Sequence, residues 1–134
     1  MNKNKGFTII ELIVVIAIIA VLAAIVLVNV TQYIAKSRDA AIKGNMSTIA
    51  TNAAVWFDNQ SPTTYVGFTS ATTYTQPAAA VTSAGGTLGT PRESASAFCV
   101  SATLNDTTTW CVDSTGYKGT LGASGCDADT TACQ

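Results

Sequence analysis

The sequence predicts an α+β fold in which one long N-terminal helix packs on a small antiparallel β-sheet head held by disulfides. Three observations predict it. An apolar run opens the chain, a helical stripe of apolar residues follows, and β-rich pieces with four cysteines close it.

Phe7 to Val28 is 22 residues with a single charge, Glu11. A helix crossing a hydrocarbon core needs about 20 apolar residues. The run is rich in Ile and Val, yet in lipid an isolated span must be helical to satisfy its own backbone. Lys3 and Lys5 precede it, which favours a cytoplasmic N-terminus and an exported remainder. A secretory signal has a shorter apolar core ending at small residues. Here apolar residues continue on both sides of Ala23-Ala24.

The helix is expected to continue to about Phe57. Ile42, Met46, Ile49, Ala53 and Trp56 form one apolar stripe, with Lys43, Asn45, Thr48 and Asn52 opposite. Gly44 marks a possible bend, and Asn59-Gln60-Ser61-Pro62 ends the helix. The expected organisation is a leader over 1–6, a membrane and assembly helix over 7–30, an amphipathic stem over 31–57 and a head over 58–134.

The head is too small for a large core of its own, so the stem must supply an apolar face. Residues 61–91 are rich in Thr, Ser, Ala and Gly and read as a long connection with one or two short strands. Residues 97–104 and 108–113 read as a hairpin turning at Asn105-Asp106, and 117–120 as a third strand. Cys99, Cys111, Cys126 and Cys133 lie in the exported part, where disulfides are favoured over metal binding. Four cysteines allow three pairings. Sequential pairing, Cys99 with Cys111 and Cys126 with Cys133, is the expected one, because the first two nearly face each other and the second two enclose a short loop.

The composition excludes several functions. There is no His, so Ser-His-Asp and Cys-His catalysis and His-containing zinc sites cannot be built from this chain. The net charge is −1 and charged residues make up 11%. No clustered basic surface is available for nucleic acid. The cysteine spacings are not those of zinc modules, and Asp113, Asp127 and Asp129 lack the spacing of a calcium loop. No metal, cofactor or catalytic residue is assigned. Asn29, Asn45, Asn59 and Asn105 begin glycan-acceptor triplets, which arise often by chance in a Thr-rich chain. An exposed patch of Tyr65, Phe68 or Tyr74 would suit a ligand-binding head, although these residues read better as core.

A carboxylate in an apolar span costs about 2.5–3.5 kcal/mol at the bilayer centre and less near the interface. No Lys or Arg lies one helical turn from Glu11. Its partner is therefore expected on another molecule or at a chain terminus.

Lys5-Gly6-Phe7-Thr8-Ile9-Ile10-Glu11-Leu12 resembles the processing site of type IV prepilins and pseudopilins. A short polar leader ends in Gly6, an unbroken apolar helix begins at Phe7, and Glu11 lies four residues on. The resemblance implies cleavage between Gly6 and Phe7 by a prepilin peptidase and N-methylation of Phe7. It further implies pairing of Glu11 with the N-terminal amine of a neighbouring subunit. It implies a pilin subunit that self-associates through its helix into a surface filament, with the assembly machinery as partner and the membrane as its site beforehand. Adhesion, motility and DNA uptake are family roles. A pseudopilin or minor pilin of a secretion or competence machine is the alternative. One feature departs from the family: Val28-Asn29 stands where a proline often loosens the helix.

Overall fold

The computed structural model describes residues 6–121, 125–127 and 131–133. Lys3, Lys5 and Asp129 lie outside them. Helix α1 runs from Ile9 to Asn59, unbroken through Val28-Asn29 and Gly44. The chain forms two compact units, Met1–Ile34 and Ala35–Gln134.

In the first unit no described side chain is buried. By length and composition, its apolar helix is long enough to cross a membrane.

In the second unit the stem stripe is buried as its spacing requires. Ile42, Met46, Ile49 and Ala53 are fully inaccessible, and Trp56 packs against the same core. Strands β1 (Thr87–Leu88), β2 (Arg92–Glu93), β3 (Phe98–Thr103), β4 (Thr109–Asp113) and β5 (Lys118–Leu121) form one antiparallel sheet. β4 and β5 follow β3 on one side, while β1 and β2 both pair with its other edge. Those two short strands make an edge interrupted around Pro91, which has no N–H to donate. Phe98, Val100 and Ala102 of β3 and Val112 of β4 join the core with the stem stripe.

The connection over 61–91 differs from expectation. It contains a 3₁₀ turn at Phe68–Ser70 and a second helix, α2, at Thr72–Ser83. Pro77 inside α2 hides it from a sequence reading, because proline removes the hydrogen bond to the carbonyl four residues back. That carbonyl belongs to Thr73, and the Asn52 side-chain amide of α1 donates to it at 2.7 Å. The stem thus repairs the defect. The 3₁₀ turn is held by Glu93, whose carboxylate accepts the Gly67 and Thr69 N–H groups at 2.8 and 2.9 Å. Gly67 has φ +88° and would set a Cβ 3.6 Å from the Trp56 ring, so glycine relieves the left-handed backbone there.

The disulfides correct the expected pairing. Cys99 bonds Cys126 and Cys111 bonds Cys133, with Cα separations of 5.6 and 5.9 Å. The reason is the sheet's alternation. Cys99 and Cys111 point to the face opposite the core, where Cys99 stands opposite Asp113 and Ser101 opposite Cys111. The strand cysteines are therefore diagonal neighbours rather than partners. Cys126 and Cys133 pair by backbone as an isolated antiparallel bridge. They form a strap across the outer face, each reaching down to one strand. Gly125 of this strap is so close to Ser101 that an added Cβ would sit 2.8 Å from its Oγ. Both faces of β3 are covered, which explains why five consecutive residues, Phe98 to Ala102, are all buried.

Trypsin distinguishes the sequential pairing from one between strands and strap. Cleavage after Arg92 and Lys118 places Cys99 and Cys111 on one peptide and the strap cysteines on the next. Unreduced protein is expected to yield the two peptides cross-linked. Recovery of two separate, internally bridged peptides would restore the sequential pairing.

Candidate functional site

The candidate site is the start of α1. Thr8 immediately precedes the first helical residue, and Glu11 stands three positions on. The Thr8 N–H and hydroxyl both donate to Glu11 Oε2 at 2.9 Å, and the Glu11 N–H donates to Thr8 Oγ1 at 3.3 Å. This is a reciprocal capping box, in which two otherwise orphaned backbone donors gain side-chain acceptors. A negative group in the first turn also faces the positive end of the helix dipole.

The carboxylate therefore has intrachain partners that are not cations. The Thr-x-x-Glu spacing was the available signal. Those partners are dipolar and engage one oxygen. Among the described residues, Oε1 makes no hydrogen bond and no basic group reaches Glu11. Gly6 has nothing within 4 Å of a built Cβ, and Phe7 is 85% exposed. The segment Gly6–Phe7 is thus exposed among the described residues, and the helix beyond it presents Ile, Leu and Val outward along its length.

Among the described residues the head holds no comparable open constellation. Tyr65, Phe68 and Tyr74 are 8%, 0% and 7% exposed and stack into the core with Phe98, so they form no ligand patch. All four cysteines are bridged. The two buried carboxylates are structural. Asp39 on α1 accepts the Asn105 backbone N–H and side-chain amide, both at 2.8 Å, tying the β3–β4 turn to the stem. Asn105, first residue of a glycan-acceptor triplet, is thereby committed to a packing role.

Asp113 ends β4. Its Oδ1 accepts from the Thr115 N–H and hydroxyl and from the Tyr117 N–H, and its Oδ2 accepts the Cys133 N–H at 3.0 Å. Burial pushes this carboxyl up, but the hydrogen bonds from Cys133, Thr115 and Tyr117 together outweigh it and hold it below its ordinary value.

Fold and terminus together define a class: a chain with a bare apolar helix that begins at a capped carboxylate, and with a disulfide-stapled second unit. Residues 1–27 match the family model of the prokaryotic N-terminal methylation motif. The type IV major alpha-pilin of Moraxella bovis is 36% identical over 88 residues, covering 58% of this chain. The chain spans about half the length of that curated relative, 55%. No solved structure matches.

Two predictions follow from the buried carboxylates. Asp39→Ala is expected to destabilise the head by about 1–3 kcal/mol, because two donors lose their acceptor. Asn105→Ala should be milder, since its backbone N–H still reaches Asp39. Thermal melts of the full-length chain in detergent would reveal the order, and equal losses would deny the backbone bond its role. For Asp113, the native carboxyl keeps its charge to lower pH than the unfolded chain's does. Its contribution is complete above the ordinary carboxylate value, near 4, and is lost as pH falls through the lowered native value. The melting-temperature gap between wild type and Asp113→Asn should be constant at neutral pH and close in acid. A gap that does not change down to pH 2 would contradict this.

Proposed function

We propose that the chain is a structural pilin subunit of a type IV pilus-like surface filament, assembled by packing of hydrophobic N-terminal helices. The observation that carries this reading is the length of apolar helix without cover among the described residues, from Ile9 to Ile34. Such a surface requires lipid or other apolar helices around it. On this reading the subunit first spans the membrane with its N-terminus cytoplasmic. A prepilin peptidase cleaves between Gly6 and Phe7, and Phe7 is N-methylated. The new amine of one subunit then pairs with Glu11 of another. The role is structural rather than catalytic.

The free Glu11 Oε1 supports the pairing, since the capping box leaves an acceptor for an incoming ammonium. An amine and a carboxylate buried together each relieve the other's desolvation, whereas either alone is strongly unfavourable.

Substitution separates the two jobs of Glu11. Gln preserves a capping box but carries no charge, while Ala removes both. Glu11→Gln and Glu11→Ala are both expected to be processed yet largely missing from filaments sheared from cells. Wild-type filament yield from Glu11→Gln would show that charge pairing is not required. Gly6→Ala is expected to leave the chain uncut, read by intact mass, and a mature N-terminus at Phe7 in that variant would reject the processing site. A wild-type chain that stays in membranes and never enters the sheared fraction would favour the pseudopilin alternative.

A further inference from the structure

We propose that the four cysteines form a thiol–disulfide exchange site, in which one two-electron reduction by a dithiol frees both strap cysteines at once. The two bridges lie against each other. Cys99 Sγ is 3.4 Å from Cys111 Sγ and 3.8 Å from Cys133 Sγ, although it is bonded to neither. The sulfurs of Cys99, Cys111 and Cys126 all lie within 4.8 Å of one another. Burial is unequal: Cys99 and Cys111 are wholly inaccessible, while Cys126 and Cys133 are partly exposed. An external thiolate therefore meets the strap sulfurs first.

Attack on Cys126 Sγ joins the reductant to Cys126 and breaks the Cys99–Cys126 bond, whose electron pair goes to Cys99 Sγ. The second thiol of the reductant then displaces Cys126, leaving a cyclic oxidised dithiol and a Cys126 thiol. The Cys99 thiolate is now buried in an apolar setting, where it is poorly solvated. Apart from the released Cys126, its nearest sulfur belongs to the second bridge. Attack on Cys111 forms Cys99–Cys111 and breaks Cys111–Cys133, with the electron pair leaving on Cys133 Sγ, which takes a proton from water. Attack on Cys133 instead would expel a thiolate at inaccessible Cys111. The nearer target also gives the better-solvated leaving group, and exchange depends on both access and leaving group. The relay step itself is redox-neutral. Across the whole sequence the dithiol gives two electrons and two protons, and the protein passes from two bridges to one.

The product keeps a bridge within the β3–β4 hairpin and releases the strap from the outer face of the sheet. The relay demands that Cys99 Sγ, now side-on to the second bridge at 3.4 Å from Cys111 Sγ and 3.8 Å from Cys133 Sγ, swing into line with that bond before the two diagonal sulfurs close to a bond of about 2.0 Å.

The test uses the full-length oxidised chain in detergent with one equivalent of dithiothreitol, quenched by N-ethylmaleimide and digested with trypsin. The one-bridge species is expected to give two unlinked peptides. One, residues 93–118, retains an internal Cys99–Cys111 bridge, and the other, 119–134, carries two maleimides. A one-bridge species whose peptides stay cross-linked, with one maleimide on each, would overturn the relay. Direct passage to the four-thiol form without a one-bridge species would do the same.

Discussion

The head depends on one stripe of α1. Its sheet has two strands of two residues each, and its longest strand, β3, has six. Such a sheet cannot enclose a core by itself. Ile42, Met46, Ile49 and Ala53 supply the opposing surface, and Phe68, Val81, Phe98, Val100 and Val112 close over it. The polar ties lie on the same length of helix. Asp39 holds the β3–β4 turn, Asn52 holds the start of α2, and Lys118 of β5 donates to Ser47 at 3.2 Å. Each tie joins a remote segment to the stem, so loss of the apolar stripe would loosen all of them together.

Covering one face of a sheet leaves the other to be managed. β3 carries small or sulfur side chains outward, Cys99 and Ser101, where most exposed strands carry charge or Thr. The strap replaces solvent there. It adds little apolar area of its own, so covalent links and the Asp113–Cys133 hydrogen bond hold it down. Closing loops of 27 and 22 residues restricts the unfolded chain, worth about 2–4 kcal/mol per bridge in the entropic model. For a unit this small, that is comparable to a substantial share of total stability.

How legible each part was follows from how local its cause is. The stem stripe, the β3–β4 hairpin and the apolar span are written in short-range periodicity, and all were readable. Helix α2 was not, because Pro77 and a run of Thr argue against helix locally, while the compensating donor, Asn52, is 21 residues from the carbonyl it serves. The disulfide pairing failed for a related reason. Sequence proximity favoured Cys99 with Cys111, but pairing was decided by which face each strand cysteine occupies and what lies over that face. At the N-terminus, the Thr8-Glu11 box was written in the residues. A carboxylate in an apolar run suggests a countercharge, and the structure supplies dipoles instead.

That answer bears on how a carboxylate survives at the start of an apolar helix. On the proposed route, Glu11 passes from the aqueous edge through lipid into a packed filament. Thr8 travels with it, and while its bonds to Oε2 persist the helix terminus stays capped. Dipoles alone do not neutralise a charge in a medium of low dielectric. A residual penalty therefore persists in lipid and vanishes only when an ammonium reaches Oε1. The penalty is then not a defect of the span but a bias toward assembly, since a correctly staggered neighbour relieves it and a misplaced one does not. An uncapped carboxylate would take any donor within reach, including water drawn to the interface. A half-satisfied one, with one oxygen fixed and the other open, restricts the direction from which the amine can approach. On the proposed route the capping box would thereby restrict the axial step between subunits, coupling a local rule of helix ends to the geometry of the filament.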